Sequence, residues 1–374
     1  MKKLLTILAG VAMVASLASA QELANFSMGR GQRIVSPEVK GDSVTFRLSA
    51  PNASQVKLYG NWMGYTDQVD CHRNANGVWE AKIQAPYPEI YTYNFIVDGV
   101  NVNDPQNFMV QRDGTRFLNM LFVPGARSYN YYEANKRGTV KNVWYHSDQL
   151  GADRRMVVYF PYEYEKNPKK NYPVLYLLHG GGGDEEAWSS MGRAAQILDN
   201  LIEQGHAVPM IVVMPNGNPG QQAAPTLGLP TKTITTPNAY VKSLVEEIIP
   251  FVEKEFRAIP NADSRAIAGL SMGGGHTTSA TILYPGTFSY ICPMSCGIQE
   301  SDHLDADLQG IKKAGYKLYW IGCGTGDFAW KGTTVLDAAL TRNGMEHTLF
   351  TSDGGHEWKN WRLFLNSFAQ LLFK

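Results

Sequence analysis

The sequence lacks an excess of charge of either sign: 34 lysines and arginines stand against 34 aspartates and glutamates. A chain so balanced has no basic field to gather nucleic acid and no polybasic patch to hold it on anionic lipid. Partners are therefore expected through local chemistry, with no nucleic acid and no membrane insertion among them. Long apolar runs are scarce too. The one conspicuous run, Leu4 to Leu17, falls short of the roughly 20 residues that a membrane-spanning helix needs. With Lys2 and Lys3 before it and Ala18-Ser19-Ala20 after it, it has the form of a secretory leader. The expectation is a signal peptide over residues 1–20, cleavage after Ala20, and a secreted or periplasmic mature chain from Gln21. Cysteine is sparse: Cys71, Cys292, Cys296 and Cys323 fit no zinc spacing, and Cys292 and Cys323 lie near the ends of apolar strand-like segments where buried thiols are common, so thiols are favoured over disulfides. No internal repeat and no low-complexity tract is present, which excludes solenoids. No histidine, aspartate and glutamate cluster has metal-ligand spacing, and neither metal nor cofactor is expected.

What is present divides into two periodicities. Up to about Val123 the chain alternates as short strands, among them Val44–Leu48, Val56–Leu58, Val78–Ile83 and Tyr91–Phe95. Pro51-Asn52, Asn76-Gly77 and Asp98-Gly99 punctuate them with turn residues. The expectation is a β-sandwich over residues 21–125 and a linker over 126–137. From Gly138 to the C-terminus, buried apolar strands such as Val174–Leu178 and Met210–Met214 alternate with helical stretches, the pattern of a mostly parallel α/β sheet over 138–374. One helix carries Ile197, Leu198, Leu201 and Ile202 and stops at Gly205; another carries Val241 to Phe256 and should kink at Pro250.

The chemistry concentrates in Gly269-Leu270-Ser271-Met272-Gly273, a G-x-S-x-G between a strand and a small-residue helix. Side chains at Gly269 or Gly273 would collide where strand and helix cross, and Ser271 would stand exposed at the helix N-terminus. A serine hydroxyl attacks only when a base accepts its proton, and the base follows in the chain. Of His303, His347 and His356, the last is favoured because it lies in the glycine-freed loop Asp353–Trp358 beyond a strand. The orienting acid is assigned to Asp327, after the strand Lys317–Cys323, over Asp337 and Asp353. An oxyanion requires two N–H donors: Met272 for one, and for the other Gly181 over Gly180 in Leu178-His179-Gly180-Gly181-Gly182-Gly183. His179 reads as structural, and with no G-K-[ST] following, those glycines do not read as a phosphate loop. Asp184-Glu185-Glu186 is read as a solvated acidic helix start rather than a glycosidase pair. Asn216 to Gln222 and Trp358 are expected to border the cleft, and Trp62, in a loop-like stretch, to lean over it.

The motifs Leu177–Gly183, Met214–Gly217, Gly269–Gly274, Ile321–Gly324 with Asp327, and Gly354–His356 with Trp358 and Trp361 resemble those of carbohydrate esterase family 1, the esterase-D-like α/β hydrolases that include feruloyl and acetylxylan esterases. Val44–Pro51, Gly77–Trp79, Tyr91–Gly99 and Asp104-Pro105 resemble an early-set, family 48 carbohydrate-binding-module-like domain. The resemblance implies an α/β hydrolase behind an immunoglobulin-like sandwich, with feruloylated or acetylated xylan as partner. It implies release of the acyl group through an acyl-enzyme on Ser271, ferulate being favoured over acetate. A serine peptidase and a non-catalytic sugar binder are the more distant readings. Trp79, Tyr91 and Tyr93 read as sandwich core rather than sugar platform.

Overall fold

A computed structural model describes residues 34–224 and 233–374. The leader expected at residues 1–20 lies outside the described residues. Among the described residues, no helix is long and apolar enough to cross a membrane.

The N-terminal region folds as two antiparallel sheets. One pairs Glu38–Lys40, Ser43–Ser49, Val78–Gln84 and His72–Arg73 in that order; the other is built around Ile90–Val97, flanked by Val56–Gly60 and Arg116–Phe122. Alternation explains the packing: Val44, Phe46 and Leu48 point inward from one strand and meet Tyr91, Tyr93 and Phe95 from the other. Trp79 is in the core, its Nε1–H donating to the Ala50 carbonyl at 2.9 Å.

The C-terminal region is an eight-stranded sheet. Its order is Thr139–Ser147, Ala152–Phe160, Ile211–Pro215, Val174–Leu178, Arg265–Leu270, Tyr290–Met294, Leu318–Gly324 and Thr348–Ser352. The first two pairings are antiparallel and the remainder parallel. Its central strands are buried on both faces: Leu175 and Leu177 enter one core with Trp188 and Phe364, while Val174, Tyr176 and Leu178 enter another with Ile248 and Val252. The helix expected to kink at Pro250 continues from Ala239 to Glu255 through a π turn at Leu244–Ile248. The missing N–H of proline is accommodated by lengthened pairing just before it.

The two regions share a core. Met120 joins the hydrolase core while its neighbour Leu121 points into the sandwich, and Ile90 also crosses over. Charges reinforce this contact. Arg112 of the sandwich reaches Asp184 at 2.6 and 2.8 Å and Glu186 at 3.0 Å. Arg155 holds Glu185 at 2.7 Å and Glu186 at 2.5 Å. Asp184 and Glu185 are thus buried, which corrects the expectation of a solvated acidic run: their counter-ions come from strands 30 to 72 residues away. A second bolt is Arg362, which donates to Glu89 at 3.1 Å, the Ile90 carbonyl at 2.7 Å and the Met191 carbonyl at 2.8 Å.

Candidate active site

Every element of the site lies at the carboxyl end of a parallel strand, where such sheets open into a crevice. Ser271 follows Arg265–Leu270 and starts the helix Met272–Leu283 with φ +53° and ψ −114°, a backbone conformation that L-residues rarely hold. Packing enforces it. A Cβ at Gly269 would run into the backbone of Gly273, and one at Gly273 would meet the His179 carbonyl oxygen at 2.5 Å, so strand, turn and helix close only on glycines. The Ser271 N–H is satisfied by the Met294 carbonyl at 2.9 Å. Met272 is the first helical residue, and its N–H faces the N-terminal end that favours negative charge.

His356 follows Thr348–Ser352 and shares one cleft with Ser271, Gly180 and Gly181. Its Nδ1 lies 2.9 and 3.0 Å from the two carboxylate oxygens of Asp327, so Nδ1 carries the proton and Nε2 is free to accept one. The competing acids lie elsewhere: Asp337 meets His347 at 3.0 Å, and Asp353 is exposed. Asp327 is buried, which works to raise its pKa. The hydrogen bonds from His356, from the Ala329 N–H at 2.8 Å and from Ser295 outweigh that burial and hold the carboxyl below its ordinary value. The His356 ring is fixed further by Trp361 edge-on at 5.0 Å and Phe328 at 4.2 Å.

The glycine loop is organised by His179. Its Nδ1–H donates to the Gly180 carbonyl at 2.8 Å and its Nε2 accepts the Gly217 N–H at 2.7 Å. Burial lowers its pKa, so the neutral ring joins the two loops as a structural strut. A Cβ at Gly181 would meet nothing within 4 Å, whereas one at Gly180 would strike Leu270 at 2.5 Å; Gly181 is the residue that stands open to the cleft.

The peripheral residues sort differently. Trp358 lines the cleft, braced edge-on by Trp188 and Trp361. Asn216 does not: it is fully buried, its Nδ2 donating to Glu185 at 2.9 Å and its Oδ1 accepting the Asn218 N–H at 2.9 Å. Gln222 is not among the residues that line this cleft; its backbone carbonyl accepts the Arg155 N–H at 2.8 Å, and its Oε1 is buried without a partner among the described residues. The loop between them is clamped by buried Arg154, which donates to the carbonyls of Asn216, Asn218, Pro219 and Gln221. Trp62 turns away from the cleft and stacks on Phe46 at 5.8 Å, edge-on to Tyr91. An indole beside a half-closed apolar core gains more by covering it than by facing water. Its neighbour Asn61 faces the cleft instead, joined there by Gln111 and Asp113. Sequence reading missed these three because their approach to Ser271 depends on how the sandwich docks. The four cysteines are free and buried, and burial pushes the thiols of Cys71 and Cys296 up to about 12. No group of three or more metal-ligating side chains occurs among the described residues.

An eight-stranded, mostly parallel sheet with a serine on a strained strand-to-helix turn defines an α/β hydrolase. Residues 147–370 match the family model described as "Putative esterase", and residues 34–111 match carbohydrate-binding module 48, the isoamylase N-terminal domain. The chain belongs to that esterase family, with a family 48 module in front, and the resemblance to carbohydrate esterase family 1 holds. It is 32% identical over 339 residues to an endo-1,4-beta-xylanase/feruloyl esterase of Xylanibacter ruminicola, covering 88% of this chain and 44% of that protein. It is 27% identical over 221 residues to endo-1,4-beta-xylanase Y of Acetivibrio thermocellus, covering 54% of this chain and 19% of the other. The chain thus spans less than half the length of these curated relatives. Among solved structures, a ferulic acid esterase is similar at 27% identity with a TM-score of 0.54, covering 63% of this chain and 98% of the other. The enterobactin esterase of Shigella flexneri shares the fold over 88% of this chain and 92% of its own, with a TM-score of 0.63 at 18% identity.

Proposed function

We propose that the protein is an exported serine esterase that releases acyl groups from plant cell-wall xylan, with ferulate as the preferred acid. Ser271 attacks the ester carbonyl while His356 Nε2 accepts its proton. Asp327 holds the imidazole in the required tautomer and stabilises the imidazolium that forms. The N–H groups of Gly181 and Met272 receive the negative charge on the carbonyl oxygen. The proton on His356 then passes to the departing sugar oxygen as the C–O bond breaks. Water, deprotonated by the same histidine, attacks the acyl-enzyme and frees the acid and Ser271.

The observation that carries this reading is the conjunction of a strained Ser271 with a hydrogen-bonded His356–Asp327 pair in one cleft. The feruloyl preference is supported by Trp358 on the cleft wall and by the xylanase/feruloyl esterase relative. Release of ferulate from methyl ferulate and of acetate from acetylated xylan, measured side by side with Ser271→Ala as control, tests it. Ferulate release that vanishes in the variant is expected. Acetate release alone assigns the enzyme to acetylxylan, and activity that survives in Ser271→Ala removes the serine from the mechanism. Export is tested by sequencing the N-terminus of protein recovered outside the cytoplasm, where Gln21 is expected first.

A further inference from the structure

The cleft of about 300 Å³ above Ser271 is not made by the hydrolase domain alone. Its hydrolase walls present apolar Ala187, Met191, Leu270 and Trp358, with Glu357 and Arg362 also on the lining. The facing wall belongs to the sandwich: Asn61, Thr92, Gln111 and Asp113 form its polar part, with Ile90 and Leu118 beside them.

This wall is built rather than incidental. Asn61 is pinned, its Oδ1 accepting the Thr92 N–H at 2.9 Å and its own N–H donating to the Thr92 carbonyl at 3.0 Å. Gln111 and Asp113 lie two residues apart on the strand Val110–Asp113, so both project from one face. Between them Arg112 is locked onto Asp184 of the hydrolase domain, which fixes that strand end relative to Ser271. Gln111 is only 5% exposed, yet its Oε1 has no hydrogen-bond partner among the described residues. A buried carboxamide without a partner is unfavourable unless something else supplies the bond.

We propose that the sandwich forms the sugar-reading wall of the esterase cleft, with the carboxamide of Gln111 and the carboxylate of Asp113 hydrogen-bonding hydroxyls on the alcohol side of the ester. This rests on the esterase reading above and adds to it where the leaving group lies. The chemistry divides the cleft. A carboxamide both donates and accepts and a carboxylate accepts, the combination that ring hydroxyls satisfy, whereas an acyl chain or ring is matched by the apolar residues around Ser271. The module then acts on the substrate in the catalytic cleft itself, through groups that serve the bond being cut. Arg112 is a positioning residue for this wall.

The test compares two esters of one acyl group, ferulate on methanol and ferulate on the arabinose of a xylo-oligosaccharide, using the full chain. Gln111→Met keeps the side-chain length and removes the amide. It is expected to lower the ratio of kcat/KM for the sugar ester over the methyl ester about tenfold, the size of one hydrogen bond. Asp113→Asn, on a half-exposed side chain, provides the same readout if the first variant fails to fold. A ratio that stays at the wild-type value overturns the proposal. So does a change confined to methyl ferulate over methyl cinnamate, which would move the contact to the phenol. Calorimetric titration of xylotriose into Ser271→Ala and into Ser271→Ala/Gln111→Met reads the wall without turnover. Weaker binding by the double variant supports the proposal and equal binding overturns it. If the wild-type protein releases no acid from either ester, the esterase reading has failed and the titration alone decides the wall.

Discussion

The two halves of the molecule carry information in different ways. In the hydrolase half, chemistry resides in short motifs at strand ends, and the residues that matter lie within a few positions of the glycines that place them. In the sandwich half, no motif marks the residues that face the cleft. Gln111 and Asp113 matter because Arg112 and Ile90 dock their sheet against another domain. Reactivity is thus encoded locally and substrate shape by assembly, and a substitution should act on one or the other according to the half in which it falls.

The sharpest test of that division is Asp327→Asn. The asparagine keeps the shape but favours the wrong imidazole tautomer, and kcat should fall by about 10³- to 10⁴-fold in ferulate release with the melting temperature little changed. A large loss of stability with modest loss of rate would break the comparison. The interdomain bolt comes next. Arg112→Met leaves Asp184 buried without its partner, and unfolding in urea should show a loss of about 3 kcal/mol, the usual range for breaking such a pair. The double variant Arg112→Met/Asp184→Leu should recover much of it, because both charges are then gone. Trp62→Ala uncovers part of the sandwich core and should cost about 2 kcal/mol in the same assay. Because the indole faces Phe46 and not the cleft, kcat/KM on methyl ferulate should stay unchanged.

The narrowest effect is expected from pH, because it is confined to an acid window. His276 is held down to about 4 by burial and by neighbouring His179, with Tyr240 packed on its ring at 4.6 Å. Its folded pKa lies below the ordinary 6.5. The unfolded chain therefore takes up a proton first as pH falls, and stability is lost between pH 6.5 and about 4 while remaining complete above that window. Thermal melts across this range should show a shallower decline for His276→Leu than for the wild-type protein.

Much of the hydrolase half was legible in the sequence. The approach of Ser271, Asp327 and His356 to one another was legible because each follows a strand of the sheet and sits near glycines, and their order along the chain matches the order in which the sheet presents them. The core alternation of Val44–Leu48 and Tyr91–Phe95 was readable for the same reason: a period of two is local. Legibility failed where partners are distant. Asp184 and Glu185 resemble a solvated helix start until Arg112 and Arg155 arrive from other strands. Asn216 resembles a cleft residue by its place after a strand, yet Glu185 draws its side chain inward. Trp62 lies in a turn that can face either way, and the gap beside Phe46 decides it. The π turn just before Pro250 was equally hidden, since it is a property of the packed helix and not of the dipeptide.

Arg362 lies six positions beyond His356, on the helix Trp358–Phe368 that begins two residues after it. From there it grips Glu89 and the Ile90 carbonyl of the sandwich and, in the same fork, the Met191 carbonyl of the hydrolase. The base and the interdomain bolt therefore share a single short lever. The module cannot swing away about the connecting segment without wrenching a buried guanidinium from three acceptors and tugging on the loop that holds the histidine, so any displacement of the sandwich is felt at the base.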